Sequence, residues 1–517
     1  MRKFIRRPAA ICVLVLLAAT AASAQDIAAF EKRITLETLD NGLTVLILQR
    51  PEAPVFSFFT HVNAGSAQEV PGITGLAHMF EHMAFKGTPK IGSRDWEAER
   101  RALERVEAAY VAYDRARRHP TGRDAAEVAR LEQAWKDAIE AANQFVEQNE
   151  FSRIVDRAGG VGMNAFTSSD ETGYFYSMPS NRLELWAYLE SERFLEPVMR
   201  EFYKERDVVM EERRMRTESQ PTGRLIEQFL SSAFTAHPYG QPTVGWSSDL
   251  RAFSATDAEA FFRTYYVPSN MVLALVGDVR PAEALPLIRT YFGRLPKAPE
   301  PEPLRTEEPP QKVERTVVLR EAAQPFYIAG YHRPSVQHPD DAVYDVIQDL
   351  LSSGRTSRLY RALVRDAKIA AAASGFSGFP GEKYPHLFAF FGIPTPGHTT
   401  DEIHDAIETE IERLRTEDVT ADELAMVKER RKANLIRALG NNTGLAIQLA
   451  TAQTRFGDWR ELFRQIDRID RVTAADVRRV ANEVFVPTNR TIARLESTRP
   501  AQAAPAAPAP KPSEGGL

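Results

Sequence analysis

The chain has 517 residues, of which 43% are hydrophobic and 26% are charged, and its formal net charge is −5. A chain of this length exceeds what one hydrophobic core usually organises, so two or more domains are expected. The mildly acidic balance argues against nucleic acid as a partner, because binding to phosphates requires clustered positive charge.

The first 24 residues differ from the rest. Four basic residues precede the apolar run AAICVLVLLAATAA, and ASA at 22–24 suits a signal peptidase. The run is too short to span a membrane comfortably. We expect residues 1–24 to be a cleaved signal peptide, which takes the formal charge from −5 to −9 and leaves no stable membrane anchor. A periplasmic or secreted protein follows, and a retained N-terminal anchor is the alternative.

The single cysteine, Cys12, lies within this leader. The mature chain is therefore expected to form no disulfide and to depend on packing and bound metal for its stability.

The mature chain opens with elements of a sheet. ITLETLDNGLTVLILQR alternates apolar residues on either side of Asp40-Asn41-Gly42, which predicts a hairpin, and PVFSFFTHVNAGS supplies a further strand.

The next segment, GLAHMFEHMAFKGT at 75–88, carries two of the chain's ten histidines. Positions four apart on a helix point within about 40° of each other, so His78 and His82 share a face and can bind one ion. With Glu81 they form the inverse of a known zinc helix motif. Catalytic zinc takes three protein ligands and leaves a fourth place for water. A solvated helix without a metal is the alternative.

Residues 94–150 change to Ala, Glu and Arg and are broken once at HPTG, which predicts two long helices in an antiparallel hairpin. The following GGVGMNAFTSSDETGYFYSMPS predicts a strand pair, and helices are expected from about Asn181 to Glu218.

Residues 296–312 hold six prolines and several charges. This density predicts an extended linker between two halves, residues 25–295 and 313–497, and we expect the linker to act as a hinge.

Beyond the linker the order of elements repeats. DDAVYDVIQDLLSSGRTSRLYRAL predicts one helix where the first half has its histidine helix, and LFAFFGIPT resembles the earlier GYFYSMPS. Helices from Thr400 to Leu439 then match those after Asn181. The sequence thus predicts an α+β fold of two tandem homologous domains, each with an antiparallel-rich sheet flanked by helices, and a long helical hairpin inserted in the first. The Ala/Pro-rich tail, residues 498–517, is expected to be disordered.

Three segments together resemble the pitrilysin and insulinase family of zinc metallopeptidases, especially its bacterial branch similar to mitochondrial processing peptidase. They are GLAHMFEHMAFKGT, MNAFTSSDETGYFYSMPSNRLELWAYLESERF and EFYKERDVVMEERRM. The similarity runs from about Ile34 to about Glu496 and excludes residues 94–150.

The resemblance implies a third zinc ligand on a downstream helix that carries two glutamates seven residues apart, here Glu205 and Glu212. Glu212, and not Glu211, is the expected ligand beside His78 and His82, for one Zn²⁺ per chain. Glu205 is expected to lie behind the ligands and to orient a histidine. Without the resemblance this segment is typical of a solvated, charge-rich helix.

The resemblance also implies that Glu81 acts as the general base for zinc-activated water. Asn164 and Ala165 are expected to lie on an edge strand with which an extended peptide pairs as an added strand. A role for Asn164 as a turn residue is the alternative.

The second half is expected to carry no metal and to face the zinc half across an enclosed chamber, of which one chain forms half of the clamshell. Arg355, Arg358 and Tyr360 are candidates for substrate contacts from this half. On a predicted helix they fit surface and packing roles equally well.

The gap between His82 and Glu212 is longer than is usual in the family, and the hairpin of residues 94–150 accounts for the excess. We expect this hairpin to be separable from the active site, either as a solvent-exposed spacer or as a substrate-binding arm.

The sequence therefore predicts a secreted zinc-dependent endopeptidase that cleaves unfolded or extended peptides. Because shorter family members pair, a homodimer or a heterodimer with a paralogous subunit is expected. A noncatalytic assembly subunit of the same fold and a dedicated maturase of one secreted peptide are the alternatives. The intact His78, Glu81, His82 and Glu212 argue against the assembly subunit.

Overall fold

The computed structural model describes residues 30–498, with the exception of 120 and 122. The expected signal peptide, and the expected disordered tail beyond residue 498, lie outside the described residues. Within them, no helix has the length and apolar character needed to cross a membrane.

Two sheets organise the described chain. Their strands, in chain order, are β1 (Ile34–Thr38), β2 (Thr44–Gln49), β3 (Val55–Val62), β4 (Val161–Thr167), β5 (Thr172–Pro179), β6 (Met271–Gly277), β7 (Arg315–Glu321), β8 (Phe326–Arg333), β9 (Ala370–Phe379), β10 (His386–Pro394) and β11 (Arg490–Ser497). The six-stranded sheet has the order β1-β2-β6-β3-β5-β4, and the five-stranded sheet has the order β7-β11-β8-β10-β9.

Helices connect and cover these sheets. They are α1 (Leu76–Met83), α2 (Trp96–Arg118), α3 (Ala125–Asn143), α4 (Glu150–Arg157), α5 (Leu183–Leu195), α6 (Phe202–Arg213), α7 (Pro221–Ala233), α8 (Ser247–Leu250), α9 (Ala255–Tyr265), α10 (Pro281–Phe292), α11 (Asp341–Ser352), α12 (Thr400–Thr416), α13 (Ala421–Ala438), α14 (Asn442–Phe456), α15 (Glu461–Arg471) and α16 (Ala474–Val484). A π-helical segment, Arg214–Glu218, continues α6.

Five strands of the first sheet have the same arrangement as the whole second sheet. β2 pairs parallel with β6, as β7 pairs parallel with β11. The remaining neighbours, β6-β3-β5-β4 in one sheet and β11-β8-β10-β9 in the other, are antiparallel. The predicted α+β fold with an antiparallel-rich sheet in each of two homologous units is therefore confirmed.

The predicted hairpin at the start of the first sheet is present as β1 and β2, which pair antiparallel. Its turn contains Gly42 at a φ of +99°, a conformation that glycine adopts without steric cost. The buried Asn41 side chain donates to the carbonyl oxygens of Phe292 and Leu295 and ties the turn to the rest of the first half.

Strand β6, with the sequence MVLALVG, is buried along its whole length. Alternate residues of a strand point to opposite faces of the sheet. Leu273 and Leu275 lie in the larger core, whereas Val272, Ala274 and Val276 lie in a second core on the opposite face. Because both faces are covered, the strand is apolar at every position.

The second core of the first sheet is completed by a helix from the other half of the chain. Leu445, Ala446, Leu449 and Ala450 of α14 are fully buried there, against β3 and β6. The first half therefore does not contain all of its own core.

The second sheet is covered in the same way by a helix from the first half. Leu225, Phe229 and Ala233 of α7 are fully buried against β7 and β11. Each half thus supplies a helix that covers one face of the other half's sheet.

The segment between the halves, residues 296–312, contains no helix or strand, as expected. Its Glu308 carboxylate accepts hydrogen bonds from the backbone N–H groups of Thr235, Ala236 and His237, at 2.9–3.0 Å. The expectation that this segment is a hinge is wrong, because opening the chain there would expose the two apolar faces that α7 and α14 cover.

The single helix predicted for DDAVYDVIQDLLSSGRTSRLYRAL is interrupted. α11 ends at Ser352, and Gly354 adopts a φ of +77° that a helix does not contain. A second helical stretch then includes the π-helical residues Tyr360–Asp366. The Ser-Ser-Gly sequence at the break is a turn signal that outweighs the apolar spacing.

Candidate active site

Helix α1 holds the histidine pair in a fixed place. The buried carboxylate of Glu69 accepts hydrogen bonds from the backbone N–H groups of Gly75 and Ala77, both at 2.7 Å, at the start of the helix. Gly75 has a φ of +96°, and a Cβ atom there would lie 2.7 Å from the carbonyl oxygen of Val244. The start of α1 is therefore locked against its neighbours, and only glycine fits at this position.

The apolar residues of α1 lie in the core and leave its polar residues to the cleft. Leu76, Ala77, Met79, Phe80 and Met83 are buried. His78, Glu81 and His82 line an open cleft of about 680 Å³ between α1, β4 and α6.

The structure brings His78, His82 and Glu212 together. One ligand atom from each residue lies within 4.8 Å of the others. Nε2 of His78 is 3.7 Å from Glu212 Oε1, and Nε2 of His82 is 3.6 Å from Glu212 Oε2. Four tetrahedral ligands at about 2.0–2.1 Å from a zinc ion lie about 3.4 Å apart. Each histidine nitrogen is therefore close to the spacing that a zinc site requires from one of the two Glu212 oxygens.

The protonation of the two histidines is set by their surroundings. Burial, with the neighbouring charges of His82 and Arg216, lowers the pKa of His78 to about 3, so its ring is neutral and able to bind a metal. Burial also disfavours the charged form of His82. The hydrogen bond and the charge of Glu205, together with the charges of Glu81 and Glu212, outweigh burial and raise the pKa of His82.

Glu205 lies behind His82, in the position that the family resemblance implied. Its Oε1 is 2.9 Å from His82 Nδ1, and its Oε2 is 2.6 Å from Lys86 Nζ. Burial opposes its charge, but these two partners lower the pKa of Glu205 to about 2. A carboxylate on Nδ1 fixes the tautomer of His82 and leaves Nε2 free to bind a metal.

Glu81 points into the same cleft. Its Oε2 accepts a hydrogen bond of 2.7 Å from Thr167 Oγ1, and the described residues give its Oε1 no hydrogen bond. Burial raises the pKa of Glu81 despite the hydrogen bond from Thr167. One carboxylate oxygen is thus held by Thr167, on a side chain that lines the cleft together with the two histidines.

Asn164 and Ala165 lie in β4, which among the described strands pairs with β5 alone and forms one edge of the first sheet. Both residues line the cleft. Asn164 is therefore a strand residue and not a turn residue. An edge strand presents unpaired backbone groups with which another extended chain can pair.

The three candidates from the second half lie elsewhere. Arg358 is buried, and its Nε and Nη2 donate to the two carboxylate oxygens of Glu423 at 2.9 and 2.8 Å. The exposed Arg355 contacts the hydroxyl of Tyr360 at 3.4 Å. Among the described residues, those that line the cleft around His78 all belong to the first half.

The helical hairpin formed by α2 and α3 packs against the helix that carries Glu205 and Glu212. Glu99, Ala102, Val106 and Tyr110 of α2 are buried at helical spacing. Their side chains form one continuous face of α2, so this helix is not a free spacer.

Buried polar contacts join the hairpin to α6 and to the loop before it. Glu99 and Arg200 form a fully buried ion pair with contacts of 2.7 and 3.0 Å. In α6, Arg206 donates to the Tyr110 hydroxyl at 2.9 Å, and Tyr203 donates to Glu107 at 2.6 Å.

The expectation that the hairpin is separable from the active site is therefore wrong. Removing it would leave the buried charge of Arg200 without the Glu99 carboxylate, would take the Tyr110 hydroxyl from Arg206, and would expose one side of α6. The hairpin holds in place the helix on which Glu212 lies.

Three residues that contact the carboxylates of this site were not predicted from the sequence. Lys86 follows His82 by one helical turn within the quoted motif, which was an available signal. Arg216 follows Glu212 by the same spacing and lies 2.6 Å from its Oε1. Thr167 is distant in sequence from Glu81, and no sequence pattern indicated their contact.

Two family models match separate parts of the chain. The model described as insulinase (peptidase family M16) matches residues 44–115, which contain the histidine pair, and the model described as the peptidase M16 inactive domain matches residues 252–431. The chain belongs to the insulinase family of peptidases. The absence of the histidine motif from the second half agrees with the description of the second model.

Bacterial proteases align over most of the chain. Zinc protease PqqE of Helicobacter pylori is 28% identical over 469 residues, which cover 89% of this chain and 92% of that protein. A solved protease from Helicobacter pylori has a TM-score of 0.74 and 26% identity and covers 90% of this chain and 99% of its own. The first half of the periplasmic protease PqqL from Escherichia coli has a TM-score of 0.65 at 17% identity, over 90% of this chain and 92% of that chain, and shares the fold.

Proposed function

We propose that the protein is a zinc-dependent endopeptidase that cleaves unfolded or extended peptides. The observation that supports this most directly is the cluster of His78, His82 and Glu212, with Glu81 beside it in an open cleft. A structural zinc site would be closed by a fourth protein ligand, whereas a catalytic site keeps one position for water. The described residues bring three ligands together and add a carboxylate suited to proton transfer.

In this proposal, Nε2 of His78, Nε2 of His82 and the Glu212 carboxylate hold one zinc ion. When bound, zinc supplies a lowered pKa for a coordinated water and polarises the scissile carbonyl group. Glu205 and Lys86 keep His82 oriented, since Glu205 bonds to both. Glu81 accepts a proton on Oε1, while Thr167 holds Oε2, and then gives the proton to the leaving amine.

We further propose that the substrate pairs with β4 as an added strand. β4 is an edge strand, and Asn164 and Ala165 lie in the cleft with Glu81. Pairing through backbone groups tolerates many sequences but requires an extended chain. This supports unfolded peptides as the substrate class and disfavours folded proteins.

Two further parts of the proposal concern the protein's surroundings. The leader-like first 24 residues support a periplasmic or secreted location, and the structural relative PqqL is described as periplasmic. The cleft is lined by the first half alone among the described residues. We therefore propose that a second subunit, either a copy of this chain or a paralogue, closes it.

The proposed function is tested by purifying the mature chain, measuring its metal content, and incubating it with a library of fluorogenic peptides. About one zinc per chain and cleavage that a chelator abolishes and added zinc restores are expected. A chain without zinc that cleaves no peptide, alone or with its copurified partners, would contradict the proposal.

A further inference from the structure

The cleft does not end at Glu212. It continues along α6 into a groove of about 780 Å³ between α6 and the hairpin helix α3. Glu212 and Arg216 line both the cleft and the groove. We call this space the α3/α6 groove, and its apolar lining residues are Trp135, Ile139, Tyr203, Val208 and Met215.

The walls of the α3/α6 groove expose apolar surface. Val208 and Met215 are 46% and 53% exposed, and Trp135 and Ile139 are half-buried. Apolar surface that is rimmed by charged residues and continuous with a cleft is typical of a binding site.

The charged residues of the groove do not select for a charged ligand. Three are basic and three are acidic: Lys136, Lys204, Arg216, Asp207, Glu211 and Glu212. Most are paired with neighbours on the same helix or the adjacent turn, as Lys136 is with Glu132 at 2.6 Å and Lys204 is with Glu201 at 2.7 Å. The groove therefore offers apolar contact without a net charge.

One wall of the groove is rigid. The Trp135 ring stacks on Tyr113 with a centroid distance of 5.5 Å and an interplanar angle of 12°. It meets Tyr203 edge to face at 5.1 Å, and the guanidinium of Arg206 lies over the ring at 5.6 Å. A site whose walls are already packed requires little ordering when a side chain enters it.

The groove begins close to the proposed reaction centre. Val208 precedes Glu212 by four residues and Met215 follows it by three, so they lie about 6.0 Å and about 4.5 Å from the ligand along the helix axis. An extended peptide advances about 3.3 Å per residue. A peptide held at the zinc site therefore reaches the groove within about two residues of its scissile bond.

We propose that the α3/α6 groove binds a large aliphatic or aromatic side chain of the substrate within about two residues of the scissile bond. The proposal rests on the proposed peptidase function and gives that function a substrate preference. It also gives the hairpin insertion a role in specificity, through Trp135 and Ile139.

The test uses matched peptides that carry Leu, Phe or Ser at each of the two positions on either side of one cleaved bond. At one of these positions, the wild-type chain should cleave the Leu or Phe peptide with a kcat/KM at least about tenfold above that of the Ser peptide. The double variant Val208→Asp with Met215→Asp should reduce this ratio to below about twofold and retain bound zinc. Val111→Asp, which changes a 44% exposed residue of α2 outside the groove, should keep the wild-type ratio.

A second readout does not depend on turnover. In a Glu81→Gln background, the dissociation constant of the Phe peptide should rise at least about tenfold when Met215→Asp alone is added, and that of the Ser peptide should change less. Because Met215 is largely exposed, this single change is compatible with folding.

The outcomes separate the two proposals. A wild-type chain that cleaves all the peptides equally, or groove variants that keep the full preference, would overturn the groove proposal while the peptidase function stands. A wild-type chain that binds no zinc and cleaves nothing would overturn both.

Discussion

Glu211 and Glu212 are adjacent in the chain but have different surroundings. Glu212 lies within 3.7 Å of both histidines, whereas the half-exposed Glu211 pairs with Arg214 three residues later. Neighbouring helix positions differ by about 100° around the axis, so the helix face decides which glutamate reaches the cleft.

Glu212→Gln should therefore lower zinc affinity at least tenfold, because a neutral amide replaces a charged ligand oxygen. Glu211→Gln, the matched control, should leave the affinity unchanged, since an exposed ion pair between helix neighbours contributes little. Competition with a chromogenic chelator measures both constants. Loss of zinc from the Glu211 variant alone would mean that the structure assigns the wrong residue.

Arg358 acts within the second half. Its hydrogen bonds to the Glu423 carboxylate lower the pKa of Glu423 to about 2. A glutamate of the unfolded chain titrates near pH 4.3, so the pair stabilises the fold above that pH, and its contribution is lost as the pH falls towards 2.

Arg358→Met should accordingly lower the Tm at pH 7, and the difference from the wild-type Tm should shrink between pH 4 and pH 2. The KM for peptides should not change, because Arg358 lies outside the cleft. Thermal unfolding across this pH range, with KM measured at pH 7, tests the assignment. A raised KM with an unchanged Tm would instead support a substrate contact.

At the scale of elements, the hairpin of α2 and α3 stabilises the helix that carries Glu212. Glu99→Ala removes the carboxylate that pairs with the fully buried Arg200 and should lower the free energy of unfolding by about 3–5 kcal/mol. Glu104→Ala, which breaks the exposed pair with Arg100, should change the free energy of unfolding far less than Glu99→Ala does. Denaturant unfolding measures the free energy of unfolding of both variants. An equally small decrease in both would support the interpretation of the hairpin as a separable spacer.

Single elements could be predicted where a local pattern defines them. The turn at Gly42, the histidine pair on α1 and the β4–β5 strand pair each depend on residues close in sequence. The sequence of α2 also contained a usable pattern, because its buried residues follow helical spacing: Glu99, Ala102, Val106 and Tyr110. That spacing indicates a buried face but does not name the surface that buries it, so the contact with α6 required the structure.

At the scale of the whole molecule, the two halves exchange helices. α14 of the second half covers the sheet of the first, and α7 of the first half covers the sheet of the second. The repeat of strands was visible in the sequence, but this exchange was not, because an apolar helix face fits either sheet. The Pro-rich segment therefore suggested a hinge that the packing excludes.

Because the cores are shared, the halves should unfold in one transition. Leu449→Asp buries a charge against β3 and β6 and should destabilise the zinc half as well as the second half, by more than about 3 kcal/mol. Zinc release and the loss of secondary structure should share one midpoint in denaturant. Two separate midpoints would show that the halves fold independently.

In the proposed mechanism, Glu81 moves the proton while His78, His82 and Glu212 hold the metal. Its most direct test is the zinc content and peptide turnover of Glu81→Gln, in which an amide of similar shape replaces the carboxylate. The variant should keep about one zinc per chain, and its turnover should fall by at least about a hundredfold, in line with the usual contribution of a general base. Turnover close to that of the wild-type chain, with zinc retained, would show that Glu81 is not the general base.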